Sequence, residues 1–201
     1  VRVIRVKILI ACEYSGIVRD AFKAKGHDVT SCDLLPTDKP GKHYQGDVFD
    51  IINNGWDLMI AHPPCTFMTN AGVCHLHKDA KRWIELFAAA NFFNKLLDAD
   101  IPLIAVENPI MHKYAKILIK NRKQNQTIQP WMFGHTEQKA TCLWLKGLPL
   151  LKPTNDVKKE MMLLSDKERQ RLHYLSPSSE RWKLRSVTYQ GIANAMAEQW
   201  G

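Results

Sequence analysis

Cys65 follows His62, Pro63 and Pro64 and precedes a small, polar run, Thr66, Phe67, Met68, Thr69, Asn70, Ala71 and Gly72. Thiolate attacks electrophilic carbon well, so a cysteine held beside a loop that can close over a ligand is a candidate nucleophile. Three carboxylates share its setting. Asp33 and Glu107 each end an apolar run, and Asp47 follows Gly46 in a short polar stretch. A carboxylate at such a place can accept hydrogen bonds from ribose hydroxyls. One that is protonated can instead hold a ring nitrogen and draw charge out of a heterocycle. Each acid, taken alone, equally suits a solvated loop or a helix cap.

These groups need a scaffold, and the hydrophobic periodicity predicts one. Val3 to Ala11 reads as a buried strand, Gly16 to Lys25 as a helix ended by Gly26, and Asp28 to Cys32 as a second strand. Asp57 to Ala61 is a third, stopped by two prolines that forbid both helix and ladder pairing. Asp79 to Leu97 has helical spacing, with Trp83, Phe87, Ala90 and Leu97 on one face, and Pro102 to Val106 returns to strand. Alternating strands and helices predict an α/β fold with a mostly parallel sheet and helices on both faces. The right-handed crossover then gathers Cys12 to Gly16, Asp33, Cys65 and Glu107 at one edge, where open α/β sheets bind ligands. The turn from Ala11 to Gly16 leads into a helix N-terminus and suits close backbone approach to a ligand.

The loop around Cys65 resembles the catalytic loop of DNA cytosine C5-methyltransferases, Pro-Cys-Gln-x-Phe-Ser-x-Ala-Gly. Pro64, Cys65, Ala71 and Gly72 match it, Thr66 stands for Gln, and Met68 and Thr69 stand for Phe and Ser. Further motifs follow in the family's order. Gly46-Asp47-Val48 is similar to Gly-Asp-Ile, and Glu107-Asn108-Pro109 to Glu-Asn-Val. Gln138 and Lys139 lie where the family has Gln-x-Arg-x-Arg, and Ser186 to Met196 resembles its last motif, with Gly191 in place and Ile192 for Asn.

The resemblance implies a Rossmann-like S-adenosylmethionine-dependent methyltransferase of compact phage type. It makes Cys65 the nucleophile toward cytosine C6, Glu107 the group at N3, and Lys139 the charge that arginines usually bring. Cofactor contacts fall to Glu13, Tyr14, Ser15, Gly16, Asp33, Asp47, Pro63 and Asn194. Glu13 departs from the family's glycine. DNA contacts fall to Thr66, Asn70, Arg82, Arg181, Lys183 and Arg185.

Composition bounds these expectations. With 201 residues, 45% of them hydrophobic, the chain suits one well-buried domain over 1–201. A net charge of +8 favours a polyanionic partner. Five irregularly spaced cysteines and no signal-like N-terminus suggest a reduced, cytoplasmic protein of a bacterial or phage-infected cell. No apolar run approaches the roughly 20 residues of a membrane span. Where sequence-reading relatives insert a recognition domain, this chain has only Leu151 to Arg185, with nine Lys or Arg against five Asp or Glu. That segment predicts weak or short sequence preference on DNA; an amphipathic helix over Asp156 to Arg171 is the plainer reading.

Other readings use the same residues. His62, Cys65, Cys74 and His77 could together hold zinc in a non-catalytic nucleic-acid-binding module. Methylation of an adenine amino group wants Asp or Asn before Pro-Pro, where this chain has His62. A free nucleotide is a further possible substrate.

Overall fold

The computed structural model describes residues 4–73 and 76–201, with the side chains of Ala71 and Gly72 also outside the description. Seven strands form one sheet: β1 (Lys7–Ala11), β2 (Asp28–Asp33), β3 (His43–Gln45), β4 (Leu58–Ala61), β5 (Leu103–Pro109), β6 (Gln126–Ile128) and β7 (Thr141–Lys146). Their order is β3-β2-β1-β4-β5-β7-β6. The first five pair in parallel, and β7 runs antiparallel to both β5 and β6. The order reverses between β1 and β4. A crevice opens at such a point, because the connections leave to opposite sides.

Period-two alternation sets the two faces of the sheet. Ile8, Ile10, Leu58, Ile60 and Ala105 face one core, with α1 (Ile17–Ala24) and α8 (Gln190–Trp200). Leu9, Ala11, Met59, Ala61, Ile104 and Val106 face the other, with α3 (Lys81–Leu97) and α4 (Lys113–Leu118). Helices therefore cover both faces, as the alternation predicts. The short α2 (Asn70–Val73) leads from the Cys65 loop toward α3. Among the described residues, no helix is long and apolar enough to cross a membrane.

The core face of α3 differs from its expected one. Leu86, Ala90, Phe93 and Leu96 are buried, while Phe87 is 54% exposed. Alanines at 88–90 and paired phenylalanines at 92–93 make both sides of this helix apolar, so spacing alone misplaced the stripe. β5 also runs farther than expected and carries Glu107 within the strand rather than after it.

The expected amphipathic helix over 156–171 is broken in two. α5 (Lys158–Met162) and α6 (Asp166–Arg169) are separated where Ser165 caps the second in a reciprocal box with Glu168. After α7 (Arg181–Ser186) the chain turns into α8 at Gly191. A Cβ on Gly191 would lie 1.9 Å from the Phe133 carbonyl oxygen, so only glycine permits this approach. Its N–H donates to His135 Nε2 at 3.0 Å, which joins the two C-terminal motifs directly.

Candidate active site

The strand register brings the chemistry together. β4 and β5 pair Ala61 with Val106, so the next residues, His62 and Glu107, emerge side by side. His62 Nδ1 lies 2.9 Å from Glu107 Oε2, and both side chains are largely buried. Pro63 and Pro64 end the ladder, and Asn108 Nδ2 donates to the Pro63 carbonyl. The following turn is pinned from below: His112 N donates to the Met68 carbonyl at 3.0 Å, and His112 Nε2 stands 3.0 Å from the Phe67 carbonyl. Nothing in the sequence pattern singled out His112, whose role depends on a contact 45 residues away.

One continuous cavity of about 860 Å³ lies over this edge. Cys12, Glu13, Tyr14, Ser15, Asp33 and Leu35 line one part of it. His62, Pro64, Cys65, Thr66, Arg82 and Lys139 line another. Its roof is Gln170, Leu172, His173, Trp182 and the stretch from Arg185 to Thr188. A volume of this size is within the range of small-molecule and cofactor sites.

Of the expected cofactor positions, four line the cavity and four do not. Asp33, half-buried at the end of β2, accepts from the Leu35 N–H through Oδ1, and burial holds its pKa above the usual carboxylate range. Tyr14 donates to the Lys183 carbonyl and packs near Trp182, tying the first turn to the roof. Ser15 donates to Glu13. The Glu13 carboxylate turns inward and accepts from the N–H groups of Val18 and Arg19, so it caps α1 and fills the helix N-terminus itself.

Gly16 serves packing rather than the cavity. Its φ is +71°, and a Cβ there would meet the buried Arg19 guanidinium at 2.4 Å. That guanidinium bonds Ser31, Thr37 and the Lys39 carbonyl, bracing the loop after β2. Asp47 is exposed and caps a single 3₁₀ turn by accepting from Phe49 N–H. Pro63 is buried beneath the Cys65 turn. Asn194 is exposed on α8 and accepts from Gln190, away from the cavity.

The thiol of Cys65 is half-buried. Burial pushes its pKa up, and Glu107 adds to this, while the charges of Lys139 and Arg185 pull it down without prevailing. At Glu107 burial likewise pushes upward, but the hydrogen bond and charge of His62, with Lys139, overcome it and leave the carboxyl below its ordinary range. His62 moves the other way. Burial lowers its pKa, yet Glu107 and Glu13 raise it past the ordinary imidazole value. Glu107 does not itself line the cavity; it is bonded to His62, which does, and 14% of its side chain is exposed. Both shifts favour the charged forms of the pair, which is opposite to the neutral acid expected at N3.

Lys139 Nζ donates to the Arg185 carbonyl and lies over Tyr189. Thr66, Arg82 and Arg185 line the cavity, but Asn70, Arg181 and Lys183 do not. Arg181 donates to the His173 carbonyl, and Lys183 lies 3.7 Å from Asp38 and over the Tyr14 ring. Arg171 pairs with Glu137, which also accepts from Tyr189. Much of the basic segment is thus spent holding itself to the domain. Cys12 lines the cavity as its place at the sheet edge predicts, and Leu35, Gln170, His173 and Trp182 line it without having been assigned a contact there. Only Trp182 and His173 carried any sequence signal, as an aromatic and a histidine among basic residues.

The zinc reading loses its geometry. His62 is committed to Glu107, and His77 packs among Trp83 and Tyr114. Cys74 lies outside the described residues; among those described, no three His, Cys, Asp or Glu side chains are placed to hold a metal.

No protein-family model and no curated protein matches the chain. Several solved structures are similar. An Escherichia coli prophage protein described as a DNA modification methyltransferase is 16% identical, with a TM-score of 0.48 over 80% of this chain and 56% of its own. The chain therefore spans little more than half the length of that relative. The Dnmt2 methyltransferase of S. pombe is 14% identical, with a TM-score of 0.41 over 87% of this chain and 61% of its own. Magnesium protoporphyrin IX methyltransferase of Synechocystis, solved with bound S-adenosylmethionine, is 11% identical, with a TM-score of 0.37 over 71% of this chain and 70% of its own. These are likenesses of fold. The sheet, its strand order and its reversed β7 make this a Rossmann-like α/β fold.

Proposed function

We propose that the chain is a cytosine C5-methyltransferase that uses S-adenosylmethionine and acts on DNA. The observation that carries this reading is that Cys65 and His62 line the same cavity as Asp33 and the 12–15 turn, with Glu107 held to His62 by a hydrogen bond.

Cysteine is the nucleophile that C5 chemistry needs, because cytosine C5 becomes reactive only once a thiolate has added to C6. Cys65 supplies the thiolate, and Lys139 and Arg185 favour it electrostatically. Glu107, when it gains a proton, holds N3 and takes up the charge that enters the ring. Loss of the C5 proton and cleavage of the C6–Sγ bond then restore Cys65. Asp33 keeps one carboxylate oxygen free of the Leu35 bond, suited to ribose hydroxyls, and Cys12 to Ser15 form the adjoining wall. S-adenosylmethionine, when bound there, supplies an electrophilic methyl group. Thr66, Arg82 and Arg185 line the route by which a base and its phosphates would enter.

DNA carrying 5-fluorocytosine tests the reading, since C5 cannot then lose its substituent as a proton and the enzyme should be trapped through Cys65. No adduct, together with unmodified cytosine in nucleosides from expressing cells, would remove the proposal. A second reading, a free cytosine nucleotide as substrate, is favoured by one observation: Arg171, Arg181 and Lys183 are tied to the protein instead of reaching outward. Methylation of a cytosine mononucleotide faster than of DNA would select it.

A further inference from the structure

The register of β4 against β5 puts an imidazole where a glutamate alone would have sufficed to meet a base. His62 Nδ1 and Glu107 Oε2 are 2.9 Å apart, with the side chains only 11% and 14% exposed. His62 Nε2 is buried and finds no partner among the described residues, so the bond to Glu107 alone orients the ring. The charged groups that face this pair are Glu13 from the turn after β1, Lys139 from the approach to β7, and Cys65 on the same loop.

We propose that His62 is a positioning residue that stores the proton for Glu107, so that the two together act as a one-proton dyad in the proposed methyl transfer. This rests on the cytosine C5 reading. In the step it describes, the Nδ1–H bond of His62 breaks and an O–H bond forms on the Glu107 carboxylate. The imidazolium becomes neutral imidazole, and the carboxylate becomes the neutral acid that donates to N3. Release of the product returns the proton to His62.

The arrangement resolves a conflict at Glu107. A buried, permanently neutral acid would leave the site without the negative charge that balances Lys139, and a permanent carboxylate could not donate to N3. Paired with His62, the carboxylate is charged while the site is empty and can be protonated without drawing a proton from solvent. Lys139 opposes a second positive charge nearby, and Glu13 supports it; the short bond to Glu107 decides the balance.

Two measurements test the dyad. The first needs no substrate: His62, followed by NMR in histidine-labelled protein, should stay protonated to higher pH than an ordinary histidine, and in Glu107→Gln it should titrate at lower pH than in the wild type. An unshifted His62 in the wild type overturns the proposal, whatever the protein methylates. The second uses His62→Asn, whose amide can still donate toward Glu107 but cannot give up a proton. On cytosine-containing DNA with S-adenosylmethionine, its kcat should fall roughly a hundredfold, with KM and affinity for S-adenosylhomocysteine nearly unchanged. The alkaline limb of its pH profile should move to lower pH. Wild-type kcat and pH profile in His62→Asn would show that orientation alone matters and would overturn proton storage. Failure of the wild type to form a 5-fluorocytosine adduct would instead sink the underlying reaction, an outcome separate from the NMR result.

Discussion

The edge where β1, β2, β4 and β5 end and the roof over residues 165–188 enclose the same cavity but are held by different forces. At the edge, ladders position most groups: Ala11 pairs with both Cys32 and Ala61, and Ala61 with Val106, so Asp33, His62 and Glu107 each follow a paired residue directly, while His112 holds the turn that carries Cys65. The roof has helices of four and six residues, α6 and α7, too short to be stable alone. Polar contacts hold it instead, from Tyr14 to the Lys183 carbonyl, from Lys139 to the Arg185 carbonyl, and between Arg171 and Glu137. Exposed ion pairs of this kind contribute about 0–1 kcal/mol each. Under the proposed function, chemistry would be built on the more firmly held part and access on the part that opens at lower cost.

Breaking the edge should have the largest effect. Cys65→Ser keeps size and polarity but replaces the thiolate with a poor nucleophile, so methyl transfer should fall about a thousandfold or more. Trapping on 5-fluorocytosine DNA should vanish while cofactor affinity, read by calorimetry, is retained. An undiminished rate in this variant would assign the nucleophile elsewhere. Asp33→Ala should act on the other half of the cavity. If its carboxylate receives two ribose hydroxyls, S-adenosylhomocysteine should bind about 1.5–3 kcal/mol more weakly, with Cys65 chemistry unchanged at saturating cofactor. Equal affinity would place the nucleoside away from β2.

Just past the roof, Gly191 of α8 packs on the segment before β7. A methyl group there runs into the Phe133 carbonyl, a backbone atom that cannot swing aside. Gly191→Ala should cost about 1–3 kcal/mol in denaturant unfolding. Its faster amide exchange should concentrate in α8 and the roof rather than in β1 and β4. Uniform loss of protection would mean that the two regions unfold as one.

The same contrast explains what the sequence disclosed. Strands β1, β4 and β5 were legible because each begins as an apolar run, β2 because it follows a helix stopped at Gly26, and their common edge followed from handedness alone. β3 and β6, three residues each, lack the length for a periodic signal. Glu13 and Asp47 show how a chemically correct residue type can serve the backbone: one caps α1, the other a 3₁₀ turn. The His62–Glu107 pair was hidden because it depends on register across 45 residues, which local pattern does not carry. In the roof, six cations looked alike in sequence. Structure separates those that bind carboxylates and carbonyls of the protein from those that remain available.

That separation yields the smallest expected effect, and it sharpens the contrast among the cations around the cavity. Arg185 and Arg82 line the cavity and have no ion-pair partner among the described residues, whereas Arg171 pairs with Glu137 and Lys183 with Asp38. A cation that neutralises a phosphate releases condensed counterions, so removing it should lower the slope of log affinity against log salt by about 0.7–0.9. Arg185→Ala and Arg82→Ala should each do so on any DNA sequence, since phosphate contacts carry no base information. Arg171→Ala should leave the slope unchanged and loosen the roof instead, seen as faster amide exchange across 165–188. The opposite pattern, with Arg171 and Lys183 setting the slope, would mean that these ion pairs open on DNA and that the roof, not the cavity mouth, grips the duplex.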